Sequence, residues 1–210
     1  LAHGETPGTP GFTKDGDEAG HASLVARGRS WTDALFDFFD TPLHGYDLCA
    51  PFFTRTALAW HEGFLAVWHK EEDGYRFDGP AWKRPAIFPP HGSDRIPLTW
   101  LTERPDPRRG DTSVRWGYPI RIYLQKTFRT YPITLKDLQI TLTPLAGGEP
   151  VPIQIEPQSD LFYVLPRVAL KPKTTYLLRA SWNERKGPVS LRSTFKTGTK
   201  HGQSRSDLEH

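Results

Sequence analysis

The 210-residue chain carries 27 Lys and Arg against 24 Asp and Glu, and its mean hydropathy is −0.55, which is typical of a globular rather than a disordered protein. The single cysteine, Cys49, excludes an intramolecular disulfide framework and a zinc site built from several cysteines. No apolar run approaches the ~20 residues that span a bilayer, and the basic residues are scattered singly, so the sequence predicts neither a transmembrane segment nor a nucleic-acid partner.

The two ends of the sequence indicate a truncated start and a disordered tail. The chain begins Leu1-Ala2-His3 and contains no methionine, so we expect that this is not a natural start and that any targeting segment lay upstream. Leu208-Glu209-His210 resembles the remnant of a cloned tag. Residues 199–210 are polar and are expected to form a disordered tail.

Residues 1–76 predict a small α+β region with a single helix. Glycine and proline punctuate residues 1–29, which are therefore predicted to be loop. Ser30 is a suitable N-cap, and apolar side chains follow it at helical spacing: Trp31, Ala34, Leu35, Phe38 and Phe39. Thr41-Pro42 is expected to end the helix, because the residue before a proline avoids the α conformation.

Two apolar runs after this helix, 56–60 and 64–68, predict a pair of strands joined by a turn at 61–63. Their composition is typical of strands that are buried on both faces or lie at the centre of a sheet. One helix and two strands make a thin core for an independent unit. Residues 1–76 are therefore expected either to fold separately or to lie against the rest of the chain.

The pattern changes after residue 76. Residues 77–94 are proline-rich and predict a stiff connector. Between residues 95 and 198, turn signals recur about every 8–12 residues, as in an immunoglobulin-like β-sandwich. The predicted strands are Arg95–Leu101, Tyr118–Lys126, Leu138–Thr143, Val151–Glu156, Leu161–Leu165, Thr174–Trp182 and Val189–Lys196.

Aromatic residues are concentrated around the first half of this β-rich region. They are Trp82, Trp100, Trp116, Tyr118, Tyr123, Phe128 and Tyr131. Such rings can form a carbohydrate- or peptide-binding surface, but more often they fill a core or a contact between domains. We expect the second role here.

Short motifs in the first region resemble a known family. They are His3-Gly4-Glu5-Thr6-Pro7, Gly11-Phe12-Thr13, Ala19-Gly20-His21, Thr41-Pro42-Leu43-His44 and the stretch Leu48 to Pro51. Together with the helix and the strand pair, they are similar to the C-terminal half of a bacterial CAP domain, the superfamily of cysteine-rich secretory, antigen 5 and pathogenesis-related 1 proteins. The resemblance covers about residues 3–70 and implies a truncated CAP-like α/β sandwich that lacks the family's N-terminal helices.

The end of the second region resembles the last two strands of bacterial Ig-like domains. The residues that carry this likeness are Leu170-Lys171-Pro172-Lys173-Thr174-Thr175-Tyr176 and Ser193-Thr194-Phe195-Lys196-Thr197-Gly198. Such modules are appended to secreted and cell-surface proteins. The two resemblances together imply a secreted, periplasmic or cell-surface location and a fold made of an α+β piece followed by an all-β Ig-like sandwich.

Five residues of the first region are candidates for a CAP-like ligand-binding cleft: His3, Glu5, Glu18, His21 and His44. Imidazole and carboxylate groups suit Zn²⁺ or another divalent cation, and His3 and His44 are the candidate metal ligands. The resemblance places His21 where the family has an acidic ligand. In the competing interpretation, His44 supports the C-terminal end of the helix and its dipole, while His3 and Glu5 lie in a frayed terminus.

Two functions from different classes follow. The first is a non-catalytic secreted or cell-envelope protein for binding, adhesion or spacing, with a protein or glycan partner at the cell surface and no catalytic residue. The second is a metal-assisted hydrolase of glycans or peptides, with His3 and His44 as ligands and Glu5 or Glu18 as general base. Cys49 has apolar and proline neighbours and is predicted to be a buried structural thiol rather than a nucleophile.

Overall fold

The computed structural model describes residues 6–10, 12–21, 23–49, 56–69, 85–100, 106–108, 114–124, 138–158, 161–184 and 187–201. The first part of the chain contributes α1 (Lys14–His21), β1 (Ser23–Arg27), α2 (Trp31–Phe39), α3 (His44–Cys49), β2 (Thr56–His61) and β3 (Phe64–His69). The rest contributes β4 (Ala86–Phe88), β5 (Ser93–Ile96), β6 (Ile120–Tyr123), β7 (Gln139–Pro144), β8 (Ile153–Pro157), β9 (Leu161–Pro166), β10 (Thr175–Glu184) and β11 (Gly187–Thr197). The described residues are therefore mostly β, in three sheets with few helices.

Strands β2 and β3 of the first sheet confirm the predicted strand pair, and α2 confirms the predicted helix. Its order is β1-β3-β2, and both pairings are antiparallel. The turn between β2 and β3 has positive φ at Glu62 (44°) and Gly63 (84°), as a two-residue hairpin turn requires. Helix α2 begins after Ser30, whose hydroxyl accepts a hydrogen bond from the Asp33 amide at 3.2 Å.

Three sequence predictions for this region were wrong or incomplete. Residues 1–29 are not all loop, because α1 and β1 lie within them and β1 finds a full set of partners along β3. Strand β2 is exposed along its whole length rather than buried, since it is an edge strand in the described sheet and α2 packs over β1 and β3 instead. Helix α3 was not predicted, because six residues are too few to show a helical period.

The second and third sheets, with orders β5-β11-β10-β7 and β4-β6-β9-β8, face each other across one core. That core is filled from both sheets, for example by Ile122 and Phe162 on one side and by Leu142 and Trp182 on the other. The last five predicted strands, from Leu138–Thr143 onward, have counterparts at closely similar bounds, and Tyr118–Lys126 contains the shorter β6. The predicted strand Arg95–Leu101 is misplaced, because β5 shares only Arg95 and Ile96 with it and residues 97–100 are not in a strand. The predicted connector 77–94 also contributes β4 and the start of β5, because Ala86-Ile87-Phe88 pairs with β6.

The sheet β4-β6-β9-β8 is covered on both faces. Its outer face carries a second apolar cluster that includes Trp100, Trp116, Tyr123 and Tyr163. Residues of the helical segment pack against this cluster: Leu43, Tyr46 and Cys49. Of the seven aromatic residues noted in the sequence, the four in the described part, Trp100, Trp116, Tyr118 and Tyr123, are all buried. The segment from α2 to α3 thus lies against the sandwich.

Candidate functional site

The most elaborate polar cluster in the described structure forms where the α2–α3 segment meets the sandwich, and its centre is Arg121. Strand β6 alternates, so Ile120 and Ile122 enter the core between the sheets and Arg121 points to the outer face. The Arg121 side chain has no exposed surface. Burying a guanidinium completely costs free energy unless each of its donors finds a hydrogen-bond partner. The groups around Arg121 therefore determine whether the fold tolerates it.

The partners of Arg121 are the Cys49 sulfur, to which Nη1 donates at 3.7 Å, and main-chain carbonyls at the end of α2. Nη2 donates to the Phe39 oxygen at 3.2 Å and to the Thr41 oxygen, and Nε donates to the Pro42 oxygen at 3.2 Å. The last carbonyls of a helix lack intrahelical partners and carry partial negative charge. Arg121 therefore caps α2 from another part of the chain and ties the helix to β6.

Aromatic groups surround this cluster, which we call the arginine joint and define as Arg121 with its carbonyl acceptors. The guanidinium carbon lies 5.3 Å from the centre of the Phe88 ring, and Phe88 in turn stacks on Phe39 with 6.1 Å between ring centres. Two tyrosines add hydrogen bonds across the same contact, Tyr118 to the Phe39 oxygen and Tyr123 to the Tyr46 oxygen, both at 3.0 Å. The contact is therefore polar and specific as well as apolar.

Gly45 makes the close approach of α3 to Arg121 possible. A Cβ atom at this position would overlap the Arg121 Nη2 atom and would lie 2.6 Å from the Phe38 carbonyl oxygen, where real Cβ atoms are essentially never found. No larger residue fits without moving α3, the arginine or both.

We expect Gly45→Ala to lower the free energy of unfolding by about 2 kcal/mol, because the overlap includes backbone that cannot rotate away. Urea denaturation checks this. In an Arg121→Met background the penalty of Gly45→Ala should fall, since one of the two overlapping groups is gone. An equal penalty in both backgrounds would contradict the packing described here.

Two titratable groups beside the joint have shifted pKa values. Burial, reinforced by Asp37, raises the pKa of Asp40 to about 7, although Arg121 and a hydrogen bond from Tyr118 act in the opposite direction. Burial also raises the pKa of the Cys49 thiol to about 11, against the opposing effect of Arg121. At neutral pH the thiol is therefore protonated and a poor nucleophile, which agrees with the structural role predicted for it.

The structure places the described members of the candidate CAP-like cleft on two helices, α1 and α3. Glu18 and His21 lie on α1, where Glu18 pairs with Lys14 at 3.7 Å and His21 Nδ1 lies 2.8 Å from the Asp17 carbonyl oxygen. His44 opens α3 and packs near Phe38, with ring centres 6.3 Å apart. His3 and Glu5 lie outside the described residues, so the proposed pairing of His3 with His44 stays a prediction.

Neither a metal-binding cluster nor a membrane-spanning helix is found among the described residues. Within those residues, no three His, Cys, Asp or Glu side chains are grouped so that they could hold a metal ion. None of the described helices has the length and apolar character needed to cross a membrane. No family model matches the chain, and no curated protein matches it either.

Sequence reasoning missed Arg121, Asp40 and Gly45 as a group. The available signal was a charged residue in the middle of the apolar run Pro119-Ile120-Arg121-Ile122-Tyr123. Such a residue on a strand with two buried faces must find buried partners. The sequence does not say which carbonyls those are, because about 80 residues separate Arg121 from α2.

Proposed function

We propose that the chain is a non-catalytic module of a secreted or cell-envelope protein, in which a CAP-like α/β piece is fixed to an Ig-like sandwich for binding, adhesion or spacing. The arginine joint is the observation that carries this proposal. Its donors and acceptors are used to hold α2 to β6, and the thiol of the neighbouring Cys49 is protonated at neutral pH. Groups used in this way hold two parts of the chain rigidly together and do not catalyse a reaction.

The strand order supports the Ig-like part of the proposal. Constant-type immunoglobulin sandwiches have sheets ABED and CFG. Here β4-β6-β9-β8 corresponds to ABED and β11-β10-β7 to GFC, with β5 as an additional strand parallel to β11. Strands β4 and β5 then correspond to one first strand whose two short parts join different sheets, which is compatible with this scheme.

A second feature of that fold is present near the start of β10. The Tyr176 hydroxyl accepts a hydrogen bond from the Lys171 amide at 2.8 Å, five residues upstream. Immunoglobulin-like domains use a tyrosine at the start of strand F in the same manner, at the corner that follows strand E. The motif Leu170–Tyr176 noted in the sequence thus has a physical role, which is to fix this corner.

The proposal is tested by incubating the protein with isolated bacterial cell walls, with and without Zn²⁺. We expect the protein to co-sediment with the walls and to release no soluble sugar or peptide in either condition. Release of soluble fragments that depends on Zn²⁺ would overturn the proposal in favour of the hydrolase.

Zinc calorimetry provides the matched comparison. The hydrolase hypothesis requires sub-micromolar Zn²⁺ binding that is lost in His3→Ala and in His44→Ala but kept in His61→Ala, whose side chain lies in an exposed hairpin. We expect all three variants to bind the same amount of Zn²⁺ as the parent chain. Selective loss in the first two would contradict the non-catalytic role.

A further inference from the structure

The outward positions of β7, β10 and β11 have an unbalanced positive charge, while β5 at the edge of the same sheet carries one exposed acid and one exposed base, Asp94 and Arg95. On β10, Leu178 and Ala180 point into the sandwich core, so Arg179 points outward. On β11, Leu191 and Phe195 contact the core, so Arg192 and Lys196 point outward. All three cationic side chains are exposed.

The register makes this arrangement unfavourable for the isolated protein. Arg179 lies directly opposite Arg192 in the antiparallel pair β10–β11. Like charges at directly opposite positions destabilise a sheet, because the Cβ atoms are only about 5 Å apart. No carboxylate among the described residues forms an ion pair with either arginine.

The sequence around these strands shows the same imbalance. Residues 161–201 contain nine Lys and Arg and a single acidic residue, Glu184, whereas the whole chain has 27 basic and 24 acidic residues. The nine are Arg167, Lys171, Lys173, Arg179, Arg185, Lys186, Arg192, Lys196 and Lys200. The excess of positive charge is thus local to this part of the sandwich, which favours an anionic partner.

The neighbours of the two arginines indicate which kind of anion fits. Thr141 on β7 lies opposite Arg179, and the adjacent cross-strand row is Gln139, Ser181 and Ser190. These hydroxyl and amide groups both donate and accept hydrogen bonds, as the hydroxyls of a sugar do. The outward positions of β7, β10 and β11 carry no aromatic ring on which a nucleic-acid base could stack.

We propose that this outer face binds a linear acidic polysaccharide, with Arg179, Arg192 and Lys196 contacting its anionic groups and the neighbouring hydroxyls contacting its sugars. Lys196 lies four residues from Arg192 along β11, about 13 Å away, so the face can contact successive units of an extended chain. The inference rests on the binding role proposed above and names its partner class.

The test measures binding of polygalacturonate to the full chain by calorimetry at low ionic strength, with neutral dextran as the uncharged comparison. We expect binding of polygalacturonate only, with an affinity that falls as salt is added. Arg179→Thr/Arg192→Thr should weaken it by at least about tenfold. Lys14→Ser/Arg29→Ser, which removes two exposed cations from the first part of the chain, should leave the affinity unchanged.

The unfolding temperature distinguishes a binding role of Arg179 and Arg192 from a structural role, because the two roles predict opposite changes. The double threonine variant should unfold at the same temperature as the parent chain or a higher one, since it removes a like-charge pair and threonine suits a strand. A lower unfolding temperature would show that the arginines support the fold and would overturn the inference.

Three further outcomes of the binding measurements would overturn the proposed partner class. Absence of polygalacturonate binding, equal binding by both double variants, or equally tight binding of poly-glutamate or single-stranded DNA would overturn the assignment to an acidic polysaccharide. If the protein still co-sediments with cell walls in that case, the proposed binding role stands and only this partner class fails. Hydrolysis of the walls would instead contradict the proposed function.

Discussion

Replacing Arg121 with methionine is expected to lower the free energy of unfolding by about 2–4 kcal/mol, because buried carbonyl oxygens lose a charged hydrogen-bond donor. Methionine keeps most of the volume but donates no hydrogen bond. The Pro42 carbonyl oxygen would then lose its Arg121 donor, and the Phe39 and Thr41 oxygens would keep only the Tyr118 hydroxyl and the Gly45 amide, respectively. Urea denaturation followed by tryptophan fluorescence measures the change.

Two further variants separate this effect from a general loss of charge. Arg121→Lys keeps the cation but cannot reproduce the planar set of donors, so it should recover only a minor part of the stability. Arg192→Met removes an exposed arginine from β11 and should change the unfolding free energy by less than about 0.5 kcal/mol. If Arg121→Met cost no more than Arg192→Met, the arginine joint would not hold the structure together.

The second large effect is a dependence of stability on pH that comes from Asp40. Its pKa is about 7 in the folded protein, raised by burial from an ordinary value of 3.8. The folded state therefore binds the proton more tightly than the unfolded state. The resulting stabilisation is complete below pH ~4 and is lost as the pH rises through about 7.

Asp40→Asn should abolish this dependence, because asparagine resembles the protonated carboxyl and does not ionise. At pH 8 we expect the variant to be more stable than the parent chain by about 3 kcal/mol, a value reduced from the full shift because Asp40 is only half-buried as a residue. At pH 4.5 the advantage should be much smaller. Urea denaturation at both pH values gives the comparison.

Glu149→Gln serves as the control, since Glu149 lies in an exposed loop. Its effect on the unfolding free energy should be small at both pH values. An advantage of Asp40→Asn that is the same at pH 4.5 and pH 8 would contradict the assignment of the titration to Asp40.

Much of the β-rich region was predictable because its signals are local. Alternation of apolar residues and turn signals placed six of the seven strands, whereas the predicted strand Arg95–Leu101 shares only two residues with β5. Strand β4 was missed because it is only three residues long and lies between prolines, so its pairing with β6 determines it rather than its own pattern. Strand β1 was missed for the same reason, since β3 supplies its partners.

Helix α2 shows which part of a packing pattern can be predicted from the sequence. The spacing predicted one apolar face, and Ala34 and Phe38 do pack against the first sheet. Phe39 instead stacks on Phe88 of the sandwich, while Trp31 remains 48% exposed. Helical periodicity identifies apolar positions but does not say whether one neighbour or two will cover them.

The polar part of the site was not predictable, because it depends on contacts between distant segments. Arg121, Gly45 and Asp40 are ordinary residues in the sequence, and each acquires its role only from the others. Family resemblance pointed to other residues, and the described members of that set, Glu18, His21 and His44, lie on separate elements from the joint's arginine.

Hydrogen exchange on the parent chain and on Arg121→Met tests most directly whether the arginine fastens the α/β piece to the sandwich. The amides of β3 and of β10 should exchange with similar opening free energies in the parent chain, as parts of one cooperative unit. In Arg121→Met, the amides of β3 should exchange faster than those of β10. If the substitution left the protection of β3 unchanged, the two parts would be stable independently and the joint would carry none of the role assigned to it.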